Sequence, residues 1–179
     1  MTSISIAREK EMGTMEILLV SPLKPMHILT GKVIPYVGLS FINAIIIILL
    51  GYFVFDLPIH GSLFLLMAES FLFISLALSL GIFISNLTDS QQVAMFISML
   101  GLMLPTLLLS GFIFPIENMP KVLQWISTIM PARWFIVIIK SIMIKGVGIQ
   151  FIWKETLILV AIMTVFIVVS LRKFKVRLE

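Results

Sequence analysis

The 179-residue chain carries 60% hydrophobic and 12% charged side chains, with a mean hydropathy of +1.16. Soluble domains hold about half apolar and about a quarter charged residues, so this composition excludes an ordinary water-soluble globule and makes lipid the solvent. The net charge of +4 does not point to nucleic acid, because the basic residues gather at the two ends and in one loop, and the absence of cysteine excludes disulfides, thiol chemistry and zinc–thiolate sites.

At the start of the chain, Met1 to Ala7 is short and mildly polar and runs into Arg8-Glu9-Lys10-Glu11 instead of a cleavage site, so it does not read as a signal peptide. Arg8 to Val20 has helix-forming composition apart from Gly13 and stops at Ser21-Pro22, since proline cannot continue a helix and disfavours helical backbone just before it. This predicts a short helix on the cytoplasmic surface. Met12, Met15, Leu18 and Leu19 fall on one side of it, with Glu11 among them. Glu9, Glu11 and Glu16 stand against Arg8 and Lys10, a balance that fits a protein partner better than anionic lipid; a solvated helix without a partner fits the composition equally well. Residues 1–32 therefore read as one cytoplasmic segment, turning at Pro22 and Pro25 and passing the lone, surface-type His27.

A bilayer core of roughly 30 Å needs about 20 apolar residues in a helix. Charge-free stretches place four spans at 33–55, 61–85, 90–112 and 155–172, the last short because its charge-free part, Thr156 to Leu171, makes only about 24 Å of helix, with Trp153 and Arg172 at its boundaries. Four crossings put both termini on one side. Arg8, Lys10, Lys24 and Lys32 precede the first span and Arg172, Lys173, Lys175 and Arg177 follow the last, which assigns that side to the cytoplasm; Lys121, Arg133, Lys140, Lys145 and Lys154 of the third loop count against it. Within the spans Glu69 is the one acidic residue, and an intramembrane carboxylate is a functional candidate by default. Its structural alternative is pairing with interface water or with Lys or Arg of the long outer loop. Asn43, Ser75, Ser79 and Ser85 are expected to make interhelical hydrogen bonds.

At the end of the third span, Pro105 and then Ser110-Gly111-Phe112-Ile113-Phe114-Pro115-Ile116-Glu117-Asn118-Met119-Pro120 hold too many helix breakers to run on straight. In the outer loop, 113–154, two apolar segments follow, Val122 to Met130 and Trp134 to Ile144, separated by Pro131-Ala132-Arg133. Each is too short to span and too apolar to float in water, which predicts re-entrant or interfacial helices with Trp125 and Trp134 at headgroup level. They either cap the bundle or take part in gating.

The fold class is thus all-α, a polytopic transmembrane bundle forming one domain over 1–179, with about four spans, a cytoplasmic coupling helix and short outer re-entrant helices. No phosphate-cradling glycine loop, H-E-x-x-H or G-x-S-x-G motif occurs, so neither ATP hydrolysis nor another enzyme activity has residues to rest on, and no metal site is expected.

Four motifs carry a further signal. They are Arg8-Glu9-Lys10-Glu11-x-Gly13-Thr14-x-Glu16-x-Leu18-Leu19-x-Ser21-Pro22; Ile28-Leu29-Thr30-Gly31-Lys32-x-x-Pro35-Tyr36; Leu109-Ser110-Gly111-Phe112-x-Phe114-Pro115-Ile116-Glu117-Asn118-Met119-Pro120; and Pro131-Ala132-Arg133-Trp134-Phe135 with Lys145-Gly146. In this order and spacing the chain resembles the ABC-2 type transporter permeases, most of all their bacterial multidrug-exporter-like branch. The resemblance implies a six-helix permease of which this chain looks like the C-terminal part, its four spans corresponding to the third through sixth. It also implies that Arg8, Glu9, Lys10, Glu11, Gly13, Thr14, Glu16, Leu18 and Leu19 couple to a separate ABC ATPase subunit, which binds the ATP and Mg. A second permease subunit would complete a homo- or heterodimer in the bacterial inner membrane. Ser110, Gly111, Phe112, Phe114, Pro115, Glu117, Met119, Pro120, Pro131 and Arg133 would form the outer gate or re-entrant region. The implied function is outward movement of a hydrophobic or amphipathic substrate. A membrane scaffold without transport is the alternative, and an intramembrane enzyme using Glu69 is a third class.

Overall fold

A computed structural model describes residues 7–8, 11–12, 25–88 and 90–176, the side chains of 25–29, 32 and 171–176 excepted. Among the described residues all regular structure is helical: α1 (Pro25–Val54), α2 (Leu63–Leu87), α3 (Gln91–Phe96), a π-helical stretch (Ile97–Met103), α4 (Leu104–Leu109), a 3₁₀ turn (Ile116–Asn118), α5 (Lys121–Ile129), α6 (Pro131–Met143) and α7 (Ile149–Val176). Four helical stretches are long and apolar enough to cross a membrane: Val33–Val54, Leu63–Leu87, Gln91–Leu109 and Ile149–Ser170. The chain is a polytopic membrane protein. α5 and α6 are jointly apolar as well but are bent by 84° across Met130, as expected of two short helices that do not cross in one straight piece.

Three boundaries differ from the sequence reading, each for a local reason. Residues 25–32, expected as a lead-in, are the first turns of α1. Pro25 is the first described residue of α1, and proline suits an opening helical turn, where its missing N–H is not needed. The third span, expected over 90–112, runs from Gln91 to Leu109 and passes Pro105 by widening to a π-helix ahead of the proline. Pro105 offers no N–H to the Gly101 carbonyl and its ring crowds that position, and the widened turn accommodates both. The fourth helix begins at Ile149 instead of 155, because Lys154 and Glu155 are good helix formers and do not stop it. Ile149–Ser170 is 22 residues long, so the fourth span is not short.

α2 occupies the centre and packs most extensively on α7, then on α1 and α6. The buried core is Leu66 and Leu76 of α2, Ile138 and Ile142 of α6, and Ile152 and Leu159 of α7. Stacking of Phe73 on Phe135 (centroids 4.0 Å apart) ties α2 to α6, and Phe83 against Phe166 (5.4 Å) ties it to α7. Lipid tails are as apolar as leucine, so these contacts hold the helices by close packing and not by release of water. α1 is different: no residue of its span is buried.

Candidate functional site

At one end of the bundle the segment before α1 touches two spans. Ala7 is fully buried, and its N–H donates to Ser85 Oγ near the end of α2 at 2.8 Å. One turn on, the Glu11 carboxylate accepts from the N–H of Gln91, the first residue of α3, at 2.9 Å. The short helix α3 has no side-chain cap from its own Ser90, so Glu11 takes that place, a carboxylate at the positive end of the helix dipole. Asn86 Nδ2 donates to the Ser170 carbonyl at 3.3 Å, which brings α7 to the same end. Arg8 is helical and exposed; Glu9, Lys10, Gly13, Thr14, Glu16, Leu18 and Leu19 lie outside the described residues.

The loop after the third span builds a compact elbow. Gly111 ends the helix in the left-handed region, φ +81°, where a Cβ would lie 3.0 Å from the Ile116 side chain. Ser110 is buried, whereas Phe112 and Phe114 are exposed. Pro115 starts the 3₁₀ turn that carries exposed Glu117, and Pro120 precedes α5, its carbonyl accepting from the N–H groups of Leu123 and Gln124. Gln124 Nε2 donates back to the Met119 carbonyl at 2.9 Å. Pro131 is the first residue of α6. Ser127 is fully buried and donates to the Leu109 carbonyl at 2.6 Å, while Arg133 Nη1 donates to the Gln124 carbonyl (3.1 Å) and to Ser127 Oγ (3.3 Å). Trp134 Nε1 donates to the Thr128 carbonyl at 2.9 Å. The end of the third span and both arms of the elbow are thereby one hydrogen-bonded unit.

Between these two places lies an apolar cavity of about 320 Å³ that sequence reasoning did not anticipate. Its walls are Phe73, Leu76 and Leu80 of α2, Ser98, Leu102 and Met103 of the π-helical stretch, Thr106 of α4 and Pro131 of α6. Pro105 within an otherwise apolar span was the available signal, since π-helical turns gather at functional sites.

The intramembrane polar residues behave differently from expectation. Glu69 is only 3% exposed, and its Oε1 accepts from Thr156 Oγ1 of α7 at 2.7 Å; it does not pair with a Lys or Arg of the long loop. Glu69 Oε2 has no partner. Ser75 and Ser79 donate to carbonyls of their own helix, at Phe71 and Ser75, because a serine within a helix reaches the preceding turn more easily than a neighbouring span. Asn43 is exposed on α1 and, among the described residues, makes no interhelical bond. No cluster of three or more metal-ligating side chains occurs among the described residues.

The sequence model of the ABC-2 type transporter family matches residues 1–144. Among curated relatives, the chain is 38% identical over 154 residues to the probable multidrug ABC transporter permease YbhR of Escherichia coli, covering 86% of this chain and 42% of that one. It is 35% identical over 179 residues to the probable multidrug ABC transporter permease YbhS of the same organism, covering 100% and 48%. With ABC transporter G family member 20 of Dictyostelium discoideum it shares 30% identity over 174 residues, covering 94% and 23%. No solved structure matches. The chain spans less than half the length of each of these relatives. With most of its length matched by the family model and its helices arranged as a membrane bundle, the chain belongs to the ABC-2 type transporter family.

Proposed function

We propose that this chain is membrane-spanning machinery of an ATP-binding-cassette exporter. In this reading it sits in the bacterial inner membrane with both termini cytoplasmic, pairs with a second permease subunit, and moves a hydrophobic or amphipathic substrate outward. Energy comes from a separate ABC ATPase that binds ATP and Mg, with the segment from Arg8 to Leu19 as its docking element.

The observation that carries the reading is the double attachment of the N-terminal segment, Ala7 to Ser85 on α2 and Glu11 to Gln91 on α3. A displacement of that segment loads two spans at once. The same two spans supply the opposing walls of the apolar cavity, through Phe73 and Leu76 on one side and Ser98 and Leu102 on the other. ATP-driven closure of the ATPase would thus alter the cavity from a distance, the two-state bias that coupling requires. The cavity wall, apolar but for Ser98 and Thr106, fits a greasy substrate better than an ionic one.

The test uses the full-length permease co-reconstituted with its ATPase in vesicles, with ATP-driven transport of an apolar fluorescent dye as the readout. Glu16→Ala with Gly13→Pro is expected to release the ATPase, and Glu11→Ala to keep it bound while lowering transport. Undiminished ATPase binding in the first variant rejects the docking element; full transport in the second rejects transmission through α3.

A further inference from the structure

Arg133 is braced by the elbow but not used up by it. Its Nη1 bonds to the Gln124 carbonyl and Ser127 Oγ, and its guanidinium lies over the Trp134 ring, 5.3 Å from the centroid. A guanidinium has five N–H donors in a planar fork, and among the described residues Nε and Nη2 have no partner. Nor has Arg133 a carboxylate partner among them. Arg133 also lines a pocket of about 380 Å³ with Gln124, Trp125 and Thr128, in which it is the one formal charge.

We propose that this pocket binds a phosphate monoanion, presented by the headgroup of an anionic phospholipid. A planar fork held in place by one of its nitrogens matches two phosphate oxygens with little ordering left to do. Arg133 stands in the first turn of the 13-residue α6, whose dipole adds positive potential there. The apolar surroundings select a lipid over a free ion. Trp125 is 78% exposed at the pocket wall, and Val122 and Ile129 of the same helix are exposed beside it, an indole for the headgroup level and an aliphatic surface for acyl chains. Bracing of the elbow alone would account for Nη1 and leave the pocket and the other donors without a role. The site does not depend on the coupling reading.

Native mass spectrometry of the full chain in a neutral detergent tests this, titrating phosphatidylglycerol, phosphatidylcholine and inorganic phosphate in separate arms. Phosphatidylglycerol is expected to bind about tenfold more tightly than phosphatidylcholine, whose choline cation offsets its phosphate charge beside Arg133. Arg133→Gln abolishes the preference, Arg133→Lys keeps part of it through charge without the fork, and Lys121→Gln, on the same elbow outside the pocket, leaves it intact. Equal binding of the two lipids, or a preference that survives Arg133→Gln, overturns the proposal. Inorganic phosphate binding as tightly as the lipid overturns the lipid assignment. If the Gln variant does not fold, the Lys variant decides, and a preference equal to that of the unaltered chain rejects recognition by the fork.

Discussion

The two places where this chain leaves its membrane spans are tied down in opposite ways. In the elbow, the bonds of Arg133, Ser127, Gln124 and Trp134 join residues close in sequence and wrap a short stretch into one block. At the Ala7 end the bonds reach across the whole chain, from Ala7 to Ser85, Glu11 to Gln91 and Asn86 to Ser170. Local bonds make a part that moves as one piece. Distant bonds make a joint, because each links elements far apart in the chain, the N-terminal segment to α2 and α3 and α2 to α7. The proposed exporter would use both, a block to move and a joint to receive the push.

The largest test of the block is Gly61→Ala. A Cβ at Gly61 would lie 2.5 Å from the Ile142 carbonyl, so the turn after α1 and the end of α6 must separate. A loss of about 3 kcal/mol is expected, read as a lower unfolding midpoint in detergent, and an unchanged midpoint would show that this contact is not part of the block. Next is Ser127→Ala, which strands the Leu109 carbonyl and one Arg133 bond inside the elbow. About 1.5 kcal/mol should go, with faster hydrogen exchange across both α5 and α6; exchange confined to α5 would split the block in two. Between the two ends, Thr156→Val removes the hydroxyl that Glu69 accepts from, at a cost of about 0.6 kcal/mol, the usual worth of a side-chain bond between spans. A several-fold larger loss would mean that Glu69 depends on Thr156 for more than helix contact. The smallest effect belongs to the joint. Glu11→Ala removes the cap of α3 and should cost about 0.5 kcal/mol, visible as faster exchange at Gln91 to Val93 with the elbow unaffected. Coupled changes at the elbow would erase the distinction between the two regions.

Four spans and a broken loop after the third were legible because they depend on features written along the chain: charge-free length, proline, glycine and aromatic placement. Gly111 and Pro131 mark the ends of their helices as a reading of turn chemistry predicts. What could not be read was who meets whom. Glu69 finds Thr156, and Glu11 finds Gln91, through the arrangement of α2, α3 and α7, which no local pattern encodes. Ser75 and Ser79 turn to their own helix while Ser85 meets Ala7, because a hydroxyl's choice between its own helix and a neighbour depends on spacing between helices. The fourth helix starts ahead of Lys154 and Glu155 because charge ends only the lipid-facing part of a helix and not the helix itself.

The length of α1 has a mechanical consequence. Its 30 residues make a rod of about 45 Å, against a hydrocarbon core of roughly 30 Å. Tilts of spanning helices reach about 40° at most, and swallowing the whole rod would need more, so part of it stands clear of the hydrocarbon core. Pivoting such a rod by roughly 10° about its midpoint swings its tip by about 4 Å. Pro35, where one backbone bond is missing, is the place along that lever arm where it bends most easily.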